Sequence, residues 1–174
     1  MSRLAKINWN DATNGRGVNV AIFLQGCPYH CVGCFNPETW EPMGGQPIDY
    51  PIFIRELLNK IQENNVERGL SFLGGEPLVS YNQQFVNDTI TIVKTVYPTT
   101  PIYIWTGGIF EEHLQAALSN PTLAHILSLT DVLIDGPYEQ DKRDITLYLR
   151  GSSNQRVIDV QRSLEKGETI LVCN

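Results

Sequence analysis

The sequence predicts an α/β fold in which a largely parallel sheet forms an open, partial barrel of roughly five to six βα units. Three observations carry that prediction. Short apolar runs alternate with longer amphipathic ones, the pattern of strands joined by crossover helices. At 174 residues the chain is well short of the ~250 that a closed eight-unit barrel needs. The segments richest in Gly, Cys and Asp directly follow apolar runs, where both barrels and doubly wound sheets place their ligands. A doubly wound sheet is the competing arrangement, and one domain over residues 1–174 is the simplest organisation.

In chain order, the candidate strands are Val18 to Leu24, Leu70 to Leu73, Ile102 to Trp105, Val132 to Ile134, Val157 to Val160 and Thr169 to Val172. Each is a short run of β-branched, aromatic or leucine side chains. The first helix is expected over Pro51 to Gln62, with Ile54, Leu57, Leu58 and Ile61 on one face, Asp49 near the N-cap and Pro51 in the first turn. The second runs from Asn82 to Val96, burying Phe85, Val86, Ile90 and Val93, and Pro98 stops it. Two shorter helices follow, Glu111 to Leu118, and Pro121 to Leu127 behind an Asn120 cap. Four loops then converge on one rim: the cysteine loop after the first strand, Gly74 to Pro77 after the second, Thr106 to Gly108 after the third and Asp135 to Pro137 after the fourth.

Composition narrows the function classes. An apolar content of 42% with 18% charged residues suits a globular protein. The 13 Lys and Arg are scattered against 19 Asp and Glu, for a net charge of -6, which argues against a nucleic-acid footprint. No stretch nears the ~18 apolar residues of a membrane span and the first residues carry no apolar leader, so a cytoplasmic location is expected.

Three of the four cysteines, Cys27, Cys31 and Cys34, form a CxxxCxxC run. In a reducing compartment such clustered thiols bind metal more often than they pair as disulfides. Three sulfurs are one short of a closed structural zinc or an ordinary iron-sulfur site, so a centre held here keeps an open coordination position. One short loop with this spacing can reach three irons of a cubane. His30 could complete a zinc site instead, although it directly precedes Cys31 in the same tight loop, and no second ligand pair follows downstream. Cys173 reads either as a small terminal strand residue or as a fourth ligand. His113 and His125 lie on helical stretches and read as surface or structural residues.

The cysteine loop resembles that of radical S-adenosylmethionine enzymes. The resemblance narrows with Asn14-Gly15-Arg16-Gly17, Phe23-Leu24-Gln25-Gly26-Cys27, Val32-Gly33-Cys34-Phe35-Asn36-Pro37-Glu38-Thr39-Trp40, Gly74-Gly75-Glu76-Pro77-Leu78, Asp135-Gly136-Pro137-Tyr138 and Leu149-Arg150-Gly151-Ser152-Ser153-Asn154-Gln155-Arg156. Together these are similar to the anaerobic ribonucleoside-triphosphate reductase activating proteins, a family of glycyl-radical-enzyme activases. What the resemblance implies is a partial TIM-like barrel of the radical SAM type and a [4Fe-4S] cluster on Cys27, Cys31 and Cys34. The unique iron of that cluster would chelate S-adenosyl-L-methionine, and one electron would cleave the sulfonium to methionine and a 5′-deoxyadenosyl radical. That radical would take a hydrogen from a backbone glycine of the partner, the reductase large subunit, leaving a glycyl radical. Flavodoxin or ferredoxin would supply the electron, and the protein itself positions the cofactors and excludes water.

Around such a ligand the remaining motifs acquire roles. Gly74 and Gly75 lack Cβ and admit the methionine moiety, and Glu76 can accept from its ammonium. Gly33 and Phe35, flanking Cys34, could set backbone and ring against the adenine, with Phe35 as a plain core residue the alternative. Asp135 is either a ribose or ligand contact or an exposed turn residue. Arg150 and Arg156 bracket a turn facing the cofactor carboxylate, the partner's glycine loop, or solvent. The rival functions are an activase of another glycyl-radical enzyme such as pyruvate formate-lyase, a small deazapurine-forming enzyme, and a non-enzymatic iron-sulfur or metal-binding protein.

Overall fold

A computed structural model describes residues 2–172; Cys173, with its two sequence readings, lies outside the described residues. The elements in order are β1 (Arg3–Asp11), β2 (Asn19–Leu24), β3 (Gln46–Pro47), α1 (Tyr50–Ile61), β4 (Gly69–Gly74), α2 (Ser80–Val96), β5 (Ile102–Trp105), α3 (Phe110–Ala117), α4 (Pro121–Leu129), β6 (Val132–Asp135), β7 (Arg156–Asp159) and α5 (Val160–Lys166). The seven strands form one sheet in the order β3-β1-β2-β4-β5-β6-β7, which does not close on itself. The central strands β2, β4, β5 and β6 run parallel, while β1 and β3 on one side and β7 on the other pair antiparallel.

Local chemistry sets the helix boundaries. The Asp49 carboxylate accepts from the Ile52 N–H at 3.2 Å to open α1, and Asn120 does the same for Leu123 at 3.1 Å to open α4. At α5 the Asp159 carboxylate caps the Arg162 N–H, and Gly167, at φ 71°, ends the helix in the left-handed conformation. On α1, Phe53, Leu57 and Ile61 are buried; the last two are almost wholly enclosed, each worth about 1.5–3 kcal/mol of burial. Phe85, Val86, Ile90 and Val93 of α2 point into the same core.

Strand alternation divides the sheet into two unlike faces. Val20, Ile22 and Leu24 of β2, Leu70 and Phe72 of β4, Ile102 and Ile104 of β5 and Leu133 of β6 pack with residues of all five helices into one large core. The opposite face carries only a small cluster of Ala21, Phe23 and Leu73, with Ala5 and Trp105 against it, and no helix residue joins it. A doubly wound sheet would be clad on both faces. Here one face is covered by loops in place of helices, and the site lies over it.

Three expectations need correcting. β1 has no counterpart among the sequence candidates. Thr169 to Val172 is not a strand: Leu171 alone bridges to Ile158. The run from Val157 ends at Asp159 because Asp159 caps α5 one residue later, and β7 enters antiparallel, so four strands rather than five or six make the parallel part.

Candidate active site

A cavity of about 780 Å³ opens over the helix-free face at the C-terminal ends of the parallel strands, within the range of small-molecule sites. Phe23, Leu73 and Trp105 form its apolar floor, and β1 adds Lys6 and Asn8 at the side. All four rim loops reach it: Cys27 and Cys31 from the first, Gly74 to Glu76 from the second, Thr106 and Gly107 from the third, and Gly136 from the fourth.

The cysteine loop is closed on itself at its base and shaped by turns at its tip. The Gly26 N–H donates to Thr39 O at 2.8 Å and the Cys27 N–H to Trp40 O at 3.1 Å. The Glu76 N–H donates back to Gly26 O at 2.7 Å, joining the first two rim loops. Gly33, at φ 73°, turns the chain beside a Cys34 N–H to Cys31 O bond of 3.1 Å, and the Asn36 N–H donates to Cys34 Sγ at 3.4 Å. The three thiols are half-buried and free. Burial pushes the Cys27 and Cys31 thiols above their ordinary range; coordination to a metal reverses that by deprotonating them. His30 stacks on Trp40 at 4.8 Å and 17°. Among the described residues no three His, Cys, Asp or Glu side chains converge on a point that one metal ion would occupy. A cubane differs in taking each thiolate on a separate iron, so three cysteines on one loop suit it.

Glu76 is the most constrained group of the site. It is 3% exposed, and burial pushes its carboxyl up to about 7. Oε1 accepts from the Leu78 N–H at 2.9 Å, and Oε2 accepts from the Gly107 N–H at 2.8 Å and the Thr106 hydroxyl at 3.0 Å. One acceptor position on Oε1 is left for a cationic donor. Gly75 permits the close packing beside it, since a Cβ there would sit 2.6 Å from Gly26 O.

The other expected site residues divide. Arg150 lines the cavity, its Nη1 donating to Gln155 O at 3.1 Å, and its buried Nε has no partner. Phe35 is a rim residue and not core: it is 54% exposed, with its ring centroid 5.0 Å from that of Tyr138. Gly33 and Cys34 are not among the lining residues, although Cys34 Sγ accepts from the N–H of Asn36, which is. Asp135, read as a ribose or ligand contact or as an exposed turn residue, is 1% exposed and outside the lining, and it accepts from the Arg156 Nε at 2.9 Å, the Arg156 Nη2 and the Phe110 N–H at 2.8 Å. Arg156 thus clasps the end of β6 to the start of β7, and it also grips Glu111 of α3 at 3.0 and 2.7 Å.

Sequence reasoning missed Lys6, Asn8 and Tyr29 as lining residues. The alternating polar positions of β1 were the available signal for the first two. The contact between Thr106 Oγ1 and His113 Nε2 at 3.0 Å had no sequence signal; His125, by contrast, is a surface residue bonded to Asn87.

Residues 13–158 match the family model described as a 4Fe-4S single cluster domain. The chain is 35% identical over 146 residues to the anaerobic ribonucleoside-triphosphate reductase-activating protein of Pasteurella multocida (strain Pm70), covering 83% of this chain and 89% of that protein. It is 34% identical over 147 residues to the protein of that name from Enterobacteria phage T4, covering 84% and 87%. For that of Escherichia coli (strain K12) the identity is 32% over 148 residues, covering 84% and 92%.

Proposed function

We propose that this chain, which belongs to the anaerobic ribonucleoside-triphosphate reductase-activating proteins, is a radical S-adenosylmethionine activase that installs a glycyl radical in the anaerobic reductase. The observation that carries the reading is the junction of the three-thiol loop and buried Glu76 on one cavity rim. Cys27, Cys31 and Cys34 would hold a [4Fe-4S] cluster. When bound, cluster and S-adenosylmethionine supply one-electron cleavage of the sulfonium and, through the resulting radical, hydrogen abstraction from a backbone glycine of the reductase. Glu76 binds the ammonium of the methionine moiety through its spare acceptor position, and Gly74 and Gly75 let that moiety approach the backbone. Gly33 and Phe35 border the adenine. Arg150 offers a cation to the carboxylate, and the apolar floor of Phe23, Leu73 and Trp105 keeps water from the reacting atoms. The open sheet is one radical SAM domain of the partial-barrel kind, works in the cytoplasm, and draws its electron from flavodoxin or ferredoxin.

Anaerobically reconstituted protein with dithionite and S-adenosylmethionine is expected to release 5′-deoxyadenosine, and addition of the reductase to give a glycyl doublet in electron paramagnetic resonance. Absence of the doublet removes the assignment. The Cys34→Ala variant is expected to lose cluster iron and sulfide; full retention would show that Cys34 is not a ligand.

A further inference from the structure

The third rim loop carries a hydrogen-bonded chain that reaches from the helix layer to the cavity. Thr106 Oγ1 lies 3.0 Å from Glu76 Oε2 and 3.0 Å from His113 Nε2, and accepts the Gly108 N–H at 3.0 Å. Gly108 makes the approach possible, because a Cβ there would fall 2.4 Å from His113 Nε2. Thr106 is the only hydrogen-bond partner of the His113 ring among the described residues. Asp135 and Glu112 are charged groups near the imidazole, and Tyr29 borders it across Gly108, but none of them bonds to it.

Counting hydrogens fixes the direction of the chain. A threonine hydroxyl has one hydrogen and two lone pairs. With Glu76 ionised, the hydrogen is committed to Oε2, and Gly108 takes one lone pair. The remaining lone pair can only accept, so the imidazole must donate from Nε2. The opposite tautomer would compete for the single hydrogen and leave two acceptor oxygens facing each other 3.0 Å apart.

We propose that His113 is a positioning residue for the cofactor-binding carboxylate: its Nε2–H orients the Thr106 hydroxyl, which holds Glu76 with its spare acceptor position on Oε1 turned to a primary ammonium. The ammonium's identity rests on the proposed function above; the orientation of the chain does not.

The test has two arms. Nitrogen-15 NMR of the metal-free wild-type protein, at a pH above the Glu76 value of about 7, is expected to show His113 as the neutral Nε2–H tautomer. The Nδ1–H tautomer would overturn the proposal. Separately, anaerobic equilibrium binding of S-adenosylmethionine to reconstituted protein is expected to weaken about tenfold in Thr106→Val and about threefold in His113→Leu, the range of one lost hydrogen bond. Thr106→Ser and His113→Gln, which keep the donors, are expected to stay within about twofold of wild type. Unchanged binding in Thr106→Val also overturns the proposal. A wild-type protein that shows the Nε2–H tautomer but binds no S-adenosylmethionine overturns the ammonium assignment, and with it the proposed function.

Discussion

Replacing Arg156 by Met removes two of the three donors that satisfy a carboxylate buried to 1% exposure. The Phe110 N–H alone would remain on Asp135. Removing one partner of a buried pair costs about 3–5 kcal/mol, because the other charge stays desolvated. Arg156 is itself 31% exposed, so water can partly enter the space it leaves, and the lower end, about 3 kcal/mol, is the expected loss. The Glu111 half of the clasp is exposed and adds little. For a chain of this size the same loss lowers Tm by about 6–12 °C. Urea unfolding of the metal-free protein measures it, with an unchanged m-value showing that both end states are comparable. The Asp135→Asn/Arg156→Met double variant should recover part of the loss, since a neutral amide needs no counter-charge. A single-variant loss under about 1 kcal/mol, or no recovery, would refute the claim that Asp135 is a structural anchor.

Other substitutions probe the rim. Gly75→Ala places a Cβ 2.6 Å from Gly26 O and 2.9 Å from Leu24 O, both backbone atoms, so it should cost about 1–3 kcal/mol in denaturant unfolding and lower iron incorporation by shifting the cysteine loop. Phe35→Ala should leave stability within about 0.5 kcal/mol, the ring being 54% exposed, while reducing 5′-deoxyadenosine formation; a large stability loss would return Phe35 to the core. Glu76 has a folded pKa raised from 4.5 to about 7, so its protonated form favours folding. That contribution is complete below 4.5 and is lost as pH rises through about 7. Metal-free wild type should therefore lose stability across this window relative to Glu76→Gln, and parallel stability–pH curves would contradict the burial argument.

What the sequence made legible was what lies close together along the chain. The three cysteines share one loop, and Asp49, Asn120 and Pro51 sit within a turn of the helices they start, so both could be read from spacing. β1 was harder. Lys6, Asn8 and Asn10 alternate with Ile7 and Trp9, but the alternation is short, because a register shift between Leu4 and Lys6 puts Leu4 on the helix side out of step with them. The Thr-Ile-Leu-Val run at residues 169–172 shows the reverse error: it lies along β7 but pairs with it only through the Leu171 bridge to Ile158 and the two hydrogen bonds beside it. Asp135 stayed ambiguous because a carboxylate at a strand end has the same signature whether it meets a ligand or an arginine 21 residues away. His113, Thr106 and Glu76 are joined only by the fold, Thr106 lying 30 positions after Glu76, and no periodicity encodes such a chain.

A sheet with helices on one side and only loops around a trough on the other is, thermodynamically, an unfinished sandwich. Among the described residues no helix packs on Phe23, Leu73 and Trp105, so whatever occupies the trough joins the folding equilibrium as well as the chemistry. A guest at a hundred times its dissociation constant would add about 2.7 kcal/mol to the unfolding free energy. Melting curves taken with a graded series of candidate guests therefore rank them by affinity before any turnover is attempted.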